Sequence, residues 1–373
     1  MKKKYKILMA ESSDIFHDGR ILKEATSLVN HGFSVKIFGF RQGKKHHKYN
    51  FKILTIPIFP RKYKFFRNLS IAINIILINL MILFIKRDFY HAHNTMFLFG
   101  MFISSKLYGG KLIYDSHEVQ WEISKLSGWI ESKLIDKVDY VINVCEGRAL
   151  QQSKKYGIPK KKIIIIHNYP ELSGLEIDSF KPLSINNNLK FVFSGGFNLN
   201  DNRLDNFIGV IKDFPELTMD IIGFGYGDSH QKLLNIISDY NMEQQIKILP
   251  LVRVEHLIPT LSKYDVAVNM LYNPNNLISY KYHGINKMYE YLLSGLPILT
   301  SNMGSFIEEF ENSGVGKSVN PLDNESIKNG IQFFVDKKND LLNMKIAAQQ
   351  LAIEKFTWSS EELKLIQLYK TLF

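Results

Sequence analysis

Two patterns alternate along this chain: short apolar runs of strand length and longer stretches with helical spacing. Tyr5–Ala10 is a short apolar run that predicts a buried strand, followed by a polar loop, ESSDIFHDGR. From Gly19 onward, Ile21, Leu22, Ala25, Leu28 and Val29 keep the i, i+3/i+4, i+7 spacing of one helix face. Asn30, His31 and Gly32 end that helix, and Phe33–Phe38 predicts a second strand. Strand, helix and strand within about 35 residues make a βαβ unit, the seed of a parallel, doubly wound sheet. A basic loop, RQGKKHHKYN, leads to a third strand, FKILTIPI. Leu69–Ile85 is then almost wholly apolar, broken only by Ser70, Asn74 and Asn79. Its seventeen residues would span ~25 Å as a helix, short of the ~30 Å and roughly twenty residues of a bilayer core. A buried or interfacial helix is therefore expected rather than a transmembrane one. Two strands follow, DFYHAHN and KLIYDSHE, each ending in polar residues, and then Val138–Val144 and Lys162–Ile166.

Tyr169 and Pro170 open a polar stretch bearing Pro and Gly, which is expected to be a linker over residues 171–188 between a first domain (1–170) and a second (189–355). The second half restarts the pattern with a strand, LKFVFSGG, then a helix through Leu204, Phe207, Ile208 and Ile211. The strand LTMDIIGFGYG, a helix at Leu233–Tyr240, the strand IKILPLV, a helix at Val254–Leu261 and a strand at Asp265–Leu271 continue it. After the strand PILTS come a loop and helix at Asn302–Glu311 and helices at Asn324–Val335 and Leu341–Lys355. A last helix fills the final fifteen residues, with Ser359 or Ser360 as its expected cap. GFGYGD resembles half of a dinucleotide fingerprint, but that fingerprint belongs to a first βα turn, so it argues only weakly for NAD.

Composition changes this picture in two ways. The formal net charge of +11 points to an anionic partner: nucleic acid, an anionic membrane face or a phosphorylated substrate. Because the positive charge is dispersed and no recognition motif is present, no nucleic acid is expected. The single cysteine, Cys145, excludes an intrachain disulfide and a Cys-rich zinc site, and favours a reducing, cytoplasmic setting. The N-terminus has a basic start but too short an apolar run for a signal peptide, and reads as a first strand. The segment Arg61–Arg67, RKYKFFR, alternates four cations with three aromatics. It suits either an anionic membrane surface, where each nearby cation contributes ~1 kcal/mol, or an ordinary solvated junction.

The richest candidate chemistry lies in Tyr280–Pro297, YKYHGINKMYEYLLSGLP. Met288, Tyr291 and Leu292 share an apolar helix face, while Lys287 and Glu290 project from a neighbouring one after the Gly284 loop. That pair reads as a surface ion pair worth ~0.2–0.5 kcal/mol or as a nucleotide site, with Lys on a phosphate and Glu on ribose. Gly195 and Gly196, at a strand end leading toward a helix, let backbone N–H groups approach an anion closely. Arg203 would add a charge-assisted contact. In the first half His91, His93 and Asn94, and Asp115, Ser116, His117 and Glu118, sit at carboxyl ends of strands, where such sheets bind ligands. His91 and His93 share a face, but without an identifiable third ligand no metal is expected there.

HDGRILKEA, YHAHN, LIYDSHE, IIHNYP, FSGG with Arg203, IIGFG, NKMYEYLLSGLPIL and the terminal FTW helix, in this order and spacing, resemble a bacterial family 4 glycosyltransferase of the GT-B fold. The resemblance covers nearly the whole chain. It implies an α/β architecture of two Rossmann-like parallel-sheet domains facing across a cleft, with residues 356–373 forming a helix that crosses back to the first. It also implies a retaining transferase that takes a nucleotide-diphosphate sugar and glycosylates a saccharide or lipid-linked acceptor in surface polysaccharide synthesis; no cofactor is expected, and because no Asp-x-Asp stands out as a metal clamp, no metal either. The expected localisation is cytoplasmic, peripheral on the inner face of the cell membrane through Arg61–Arg67. Carried over, Glu290 matches the ribose-binding Glu, and Gly195, Gly196 and Arg203 match the diphosphate turn. Asn286 and Lys287 match the Asn-Lys of one subset, and His117 matches the His facing the sugar. Arg20, His93 and Glu118 fall on the acceptor side. Three departures stand out: Tyr282 replaces a common Glu, Leu204 and Asp205 stand where a second phosphate-binding Lys is common, and ESSDIFHDGR replaces a glycine turn. The alternatives are a sugar-nucleotide 2-epimerase, or a non-catalytic nucleotide-sugar- or nucleic-acid-binding protein.

Overall fold

The computed structural model describes residues 4–42, 49–59, 63–172, 184–282, 286–303 and 307–372, without the side chains of residues 64, 254 and 255. Arg61, Lys62, Gly284 and most of the expected linker lie outside the described residues. The chain divides into two compact units, Met1–Asn168 with Ser359–Phe373, and Tyr169–Trp358.

In the first unit seven strands form a parallel sheet: β1 (Lys6–Asp14), β2 (Ser34–Arg41), β3 (Lys52–Pro57), β4 (Phe89–Ala92), β5 (Lys111–Ser116), β6 (Tyr140–Asn143) and β7 (Ile163–Ile165). Their order is β3-β2-β1-β4-β5-β6-β7, so the winding direction reverses between β1 and β4, the position at which doubly wound sheets bind ligands. The helices are α1 (Gly19–Asn30), α2 (Lys64–Leu83), α3 (Thr95–Tyr108), α4 (Gln120–Ile123), α5 (Lys125–Leu134) and α6 (Glu146–Tyr156), with α15 (Trp358–Thr371) from the far end of the chain. Strand alternation explains the layering. Leu8, Ala10, Phe38, Phe40, Tyr90 and Ala92 turn to one face and pack with Ile78, Ile82, Phe97, Leu98 and Met101 of α2 and α3. On the other side Tyr369 of α15 packs its ring on Phe89 and Phe33.

Two expectations change here. ESSD is not loop: β1 continues through it to Asp14, with a register shift between Ala10 and Asp14. The helix is longer than the apolar run indicated, because α2 starts at Lys64 and reaches 20 residues, or ~30 Å. The length argument against a membrane span therefore falls away. Nor is the helix buried: only 17% of its apolar window is covered. Its polarity is inverted. Asn74 donates to the Pro57 carbonyl (3.2 Å), and Asn79 donates to the Ile75 and Met96 carbonyls and accepts from Gly100 N–H (3.0 Å). Phe65, Phe66, Leu69, Ile73, Ile76 and Leu80 are exposed.

The second unit repeats the plan with β8 (Lys190–Phe197), β9 (Thr218–Gly225), β10 (Ile246–Leu249), β11 (Val266–Asn269), β12 (Ile298–Ser301) and β13 (Gly316–Val319), in the order β10-β9-β8-β11-β12-β13. Its helices are α7 (Leu204–Ile211), α8 (Ser229–Asp239), α9 (Val254–Leu261), α10 (Ile278–Lys281), α11 (Asn286–Leu293), α12 (Ile307–Asn312), α13 (Asn324–Asp336) and α14 (Leu341–Lys355). Phe191 and Phe193 of β8 face a core shared with α7, α8 and α13, while Val192 faces one shared with α9, α11 and α14. Being covered on both sides is what makes such strands read as continuous apolar runs. The edge strand β13 was not legible from its residues, GKSV, which carry too few apolar positions. The last helix begins at Trp358, one residue before the earlier of its expected caps.

Candidate active site

At the switch point of the first unit, a set of charged side chains is gathered below the strand ends. Arg20, on the first turn of α1, donates from Nε to Asp115 Oδ2 (2.6 Å), from Nη2 to Asp115 Oδ1 (3.1 Å) and from Nη1 to the Ile166 carbonyl (3.1 Å). Its Nε also lies 3.1 Å from Glu24 Oε1. Burial alone would raise the Asp115 carboxyl, but Arg20 and the imidazoles of His117 and His93 hold it well below the usual range. His93 Nδ1 stands 3.2 Å from Asp115 Oδ2, and His117 Nδ1 stands 3.6 Å from the same oxygen. On its other side His117 Nε2 is 3.6 Å from Glu11 Oε2. Burial disfavours charge on this imidazole, yet Asp115 and Glu11 outweigh it and raise His117 to about 9. At neutral pH His117 is thus a cation, able to donate a hydrogen bond and unable to accept a proton.

Arg20 and His93, expected on the acceptor side, are 4% and 1% exposed. Their contacts run inward to Asp115, so they orient the strand end behind His117 rather than present themselves to an acceptor. Glu118 is exposed. The stacked rings of His91 and His93, with centroids 4.3 Å apart, do share a face. The further ligands that spacing did not locate are Glu24 and Asp115, whose donor atoms and those of the two histidines all lie within 4.8 Å of one another. Arg20 already stands on both carboxylates, however, and its permanent charge would have to leave before a cation could enter.

In the second unit the strand ends gather around Gly195, which lies within β8 at φ +110°. A Cβ built on Gly195 would lie 3.5 Å from Lys287 Nζ, and one on Gly196 would meet the Tyr226 ring at 2.7 Å. The glycine pair thus keeps open the space that the Lys287 ammonium overlooks. The Lys287 Nζ sits 4.1 Å from the Phe193 ring centroid. Burial lowers Lys287 to about 8, against the fields of Glu290 and Asp201. Tyr291 locks the arrangement, since its hydroxyl accepts from Ser194 N–H at 2.8 Å and so ties α11 to the strand that carries Gly195. Asn286, at the start of α11, is exposed and Glu290 half-buried. Arg203 is partly spoken for: it donates to both Asp205 oxygens (3.1 and 2.8 Å) and to Asn206 Oδ1 (2.9 Å). The departure from the family pattern at Asp205 is therefore an internal partner for Arg203. Tyr282 follows α10, with the Lys281 ammonium 5.5 Å from its ring.

Residues 20–169 match the family described as Glycosyltransferase Family 4, and residues 176–351 match Glycosyl transferases group 1. The chain belongs to the family 4 GT-B glycosyltransferases. Among curated proteins none matches the sequence significantly. Among solved structures, sucrose-phosphate synthase from Thermosynechococcus elongatus superposes with a TM-score of 0.75 at 13% identity, over 99% of both chains. Anabaena HepE in complex with UDP gives 0.73 at 16% identity, over 98% of this chain and 100% of its own. WaaG, a glycosyltransferase involved in lipopolysaccharide biosynthesis, gives 0.69 at 10% identity, over 96% and 98%. These likenesses carry the two-domain α/β GT-B fold, and with the family matches they make the chain a glycosyltransferase.

One member of each unit's candidate cluster was missed in the sequence. Glu11 was read as loop, although a buried carboxylate at the end of a central strand is a recognisable signal once β1 is extended. Tyr291 was read as a plain apolar contact, and only its 2.8 Å bond to Ser194 reveals its second role. The first glycine of GFGYG also gains a steric reason, because a Cβ on Gly223 would run into the Gly195 carbonyl oxygen.

Proposed function

We propose that this glycosyltransferase moves a sugar, with retention of anomeric configuration and without a metal, from a nucleotide-diphosphate sugar to a saccharide or lipid-linked acceptor in surface polysaccharide synthesis. The observation that carries the donor reading is the half-buried Lys287 ammonium beside the Gly195 turn, with Glu290 one turn further along α11. A departing diphosphate develops charge as the glycosidic bond breaks, and preorganised donors aimed at that charge are worth ~2.7–4 kcal/mol each. Lys287, the backbone N–H groups of the turn and the remaining donors of Arg203 supply them, and Glu290 accepts from the ribose hydroxyls. His117, as a cation, donates to the sugar or the leaving group instead of acting as a base. HepE has been crystallised with UDP-glucose, which supports a donor of this class.

A lipid-linked acceptor and a peripheral position at an anionic membrane are supported by α2, which turns its asparagines inward and exposes a row of apolar side chains from Phe65 to Met81, and by the net charge of +11. The test is a nucleotide-sugar panel with native membrane lipid as acceptor, read by mass spectrometry, beside calorimetry on Glu290→Ala. Donor affinity should fall sharply in the variant. Unchanged affinity for every donor that the wild type binds would overturn the site assignment. Epimerised donor formed without any acceptor would overturn the transfer reading.

A further inference from the structure

At the opposite ends of the strands from the candidate active site, the first unit has a cavity of about 560 Å³ lined by Lys4, Lys6, Lys36, Lys52 and Arg87, with Tyr49 and Phe51 on its wall and no carboxylate among its lining residues. The cations come from four separate segments, and the sheet register brings them together. Lys36 pairs directly with Lys52 across β2 and β3, and Lys6 pairs with Ser34 across β1 and β2. Ser34 and Lys36 are two apart on one strand, so Lys6, Lys36 and Lys52 all project from the same face. Side chains paired across neighbouring strands stand only ~4.5–5.5 Å apart at Cβ, and like charges so placed are destabilising. Crowding is visible in the electrostatics, because burial first, then Arg87 and Lys52, lower the Lys36 ammonium from its ordinary value. Among the described residues none of these four lysines forms a salt bridge. The rings of Tyr49 and Phe51, tilted against each other with centroids 5.1 Å apart, give the cavity an apolar side.

We propose that this cavity is a second anion site, separate from the donor site, that takes a phosphate-bearing ligand. A phosphate offers three oxygens to converging ammonium and guanidinium donors, and it relieves a repulsion that the sheet register has built in. Phosphate could reach the cavity as an anionic lipid headgroup or as a soluble phosphate compound. Arg87 follows the exposed Phe84, which caps α2, by three residues, so the cavity lies close in sequence to the apolar face.

The probe is inorganic pyrophosphate titrated calorimetrically into the full chain. Wild type should bind in two classes of site. Lys287→Met should remove one class and leave the other. Lys36→Gln with Lys52→Gln should weaken that other class by about tenfold or more and spare the first. Lys160→Gln with Lys161→Gln, two exposed lysines elsewhere, should change neither. Flotation with phosphatidylcholine vesicles, with and without phosphatidylglycerol, identifies the source: weaker flotation of the Lys36/Lys52 variant supports a headgroup, and unchanged flotation with the pyrophosphate class lost supports a soluble compound. Superimposable isotherms for wild type and the Lys36/Lys52 variant would overturn the proposal, as would an equal loss in the Lys160/Lys161 variant. Arg87→Gln provides the same readout should the double variant fold poorly. Because Lys287→Met reads the donor class alone, failure of the donor assignment and failure of the cavity are distinguishable.

Discussion

Replacing Lys287 by Met tests the proposed donor site through pH. Burial, working against the fields of Glu290 and Asp201, brings the ammonium from its ordinary 10.5 to about 8. At about 1.36 kcal/mol per unit, that gap is ~3 kcal/mol of disfavoured charge in the empty site. A bound diphosphate restores favourable surroundings to the ammonium and raises its pKa again. Binding of a nucleoside diphosphate without its sugar should therefore be nearly level below pH 7.5. It should weaken by about tenfold per pH unit above 8, until the pKa of the bound state is reached, with a proton taken up on binding. Calorimetry in buffers of different ionisation enthalpy measures both the slope and the proton. Lys287→Met should bind weakly with no slope in this range, and Lys287→Arg should bind with no slope because its guanidinium stays charged. His117, near 9, also titrates in this window, but a slope from it would survive in Lys287→Met. A level wild-type profile up to pH 9.5, or the same slope in Lys287→Met, would refute the reasoning.

Asp115→Asn removes the partner of a buried guanidinium and should cost ~3–5 kcal/mol, measured by urea denaturation of the first transition. His117 should then titrate nearer its ordinary 6.5, as read by NMR. In wild type the raised pKa of His117 contributes stability that is fully present below pH 6.5 and is lost as pH rises through about 9. Tyr291→Phe strands the Ser194 N–H and should cost ~1–3 kcal/mol, seen as a lower melting temperature together with weaker nucleotide binding. Gly223→Ala places a methyl against the Gly195 carbonyl and should reduce nucleotide affinity, whereas Gly209→Ala, in open space, should leave it unchanged.

Much of this fold was legible because strands buried on both faces and one-sided helices carry opposite periodicities. Val254–Leu261 and Leu341–Lys355 match their helices residue for residue. Illegibility arose where an element's identity depends on a neighbour. Gly316–Val319 is a strand only because β12 offers it a partner edge. Ser12 and Ser13 extend β1 although their residue types favour turns. The polar breaks in the long apolar stretch looked like interruptions, while in the fold Asn74 and Asn79 are its inward anchors. Within the site, sequence spacing separated Glu24 and Asp115 from His91 and His93, and only the sheet brings the four together. It also gave no hint that Arg20 would be consumed by Asp115.

Helix α15 has a consequence for how the protein is made. Its Tyr369 shares a 2.8 Å hydrogen bond with His91 and packs on Phe33 and Phe89, so the first unit borrows part of its interior from the end of the chain. Domains generally complete themselves in order as they leave the ribosome, but this one stays unfinished while all of residues 169–358 are synthesised. The second unit, continuous in sequence, is free to fold first. A ribosome that stalls or terminates before residue 359 therefore leaves the earlier-made half with an open apolar seam, a ready substrate for chaperones and proteases.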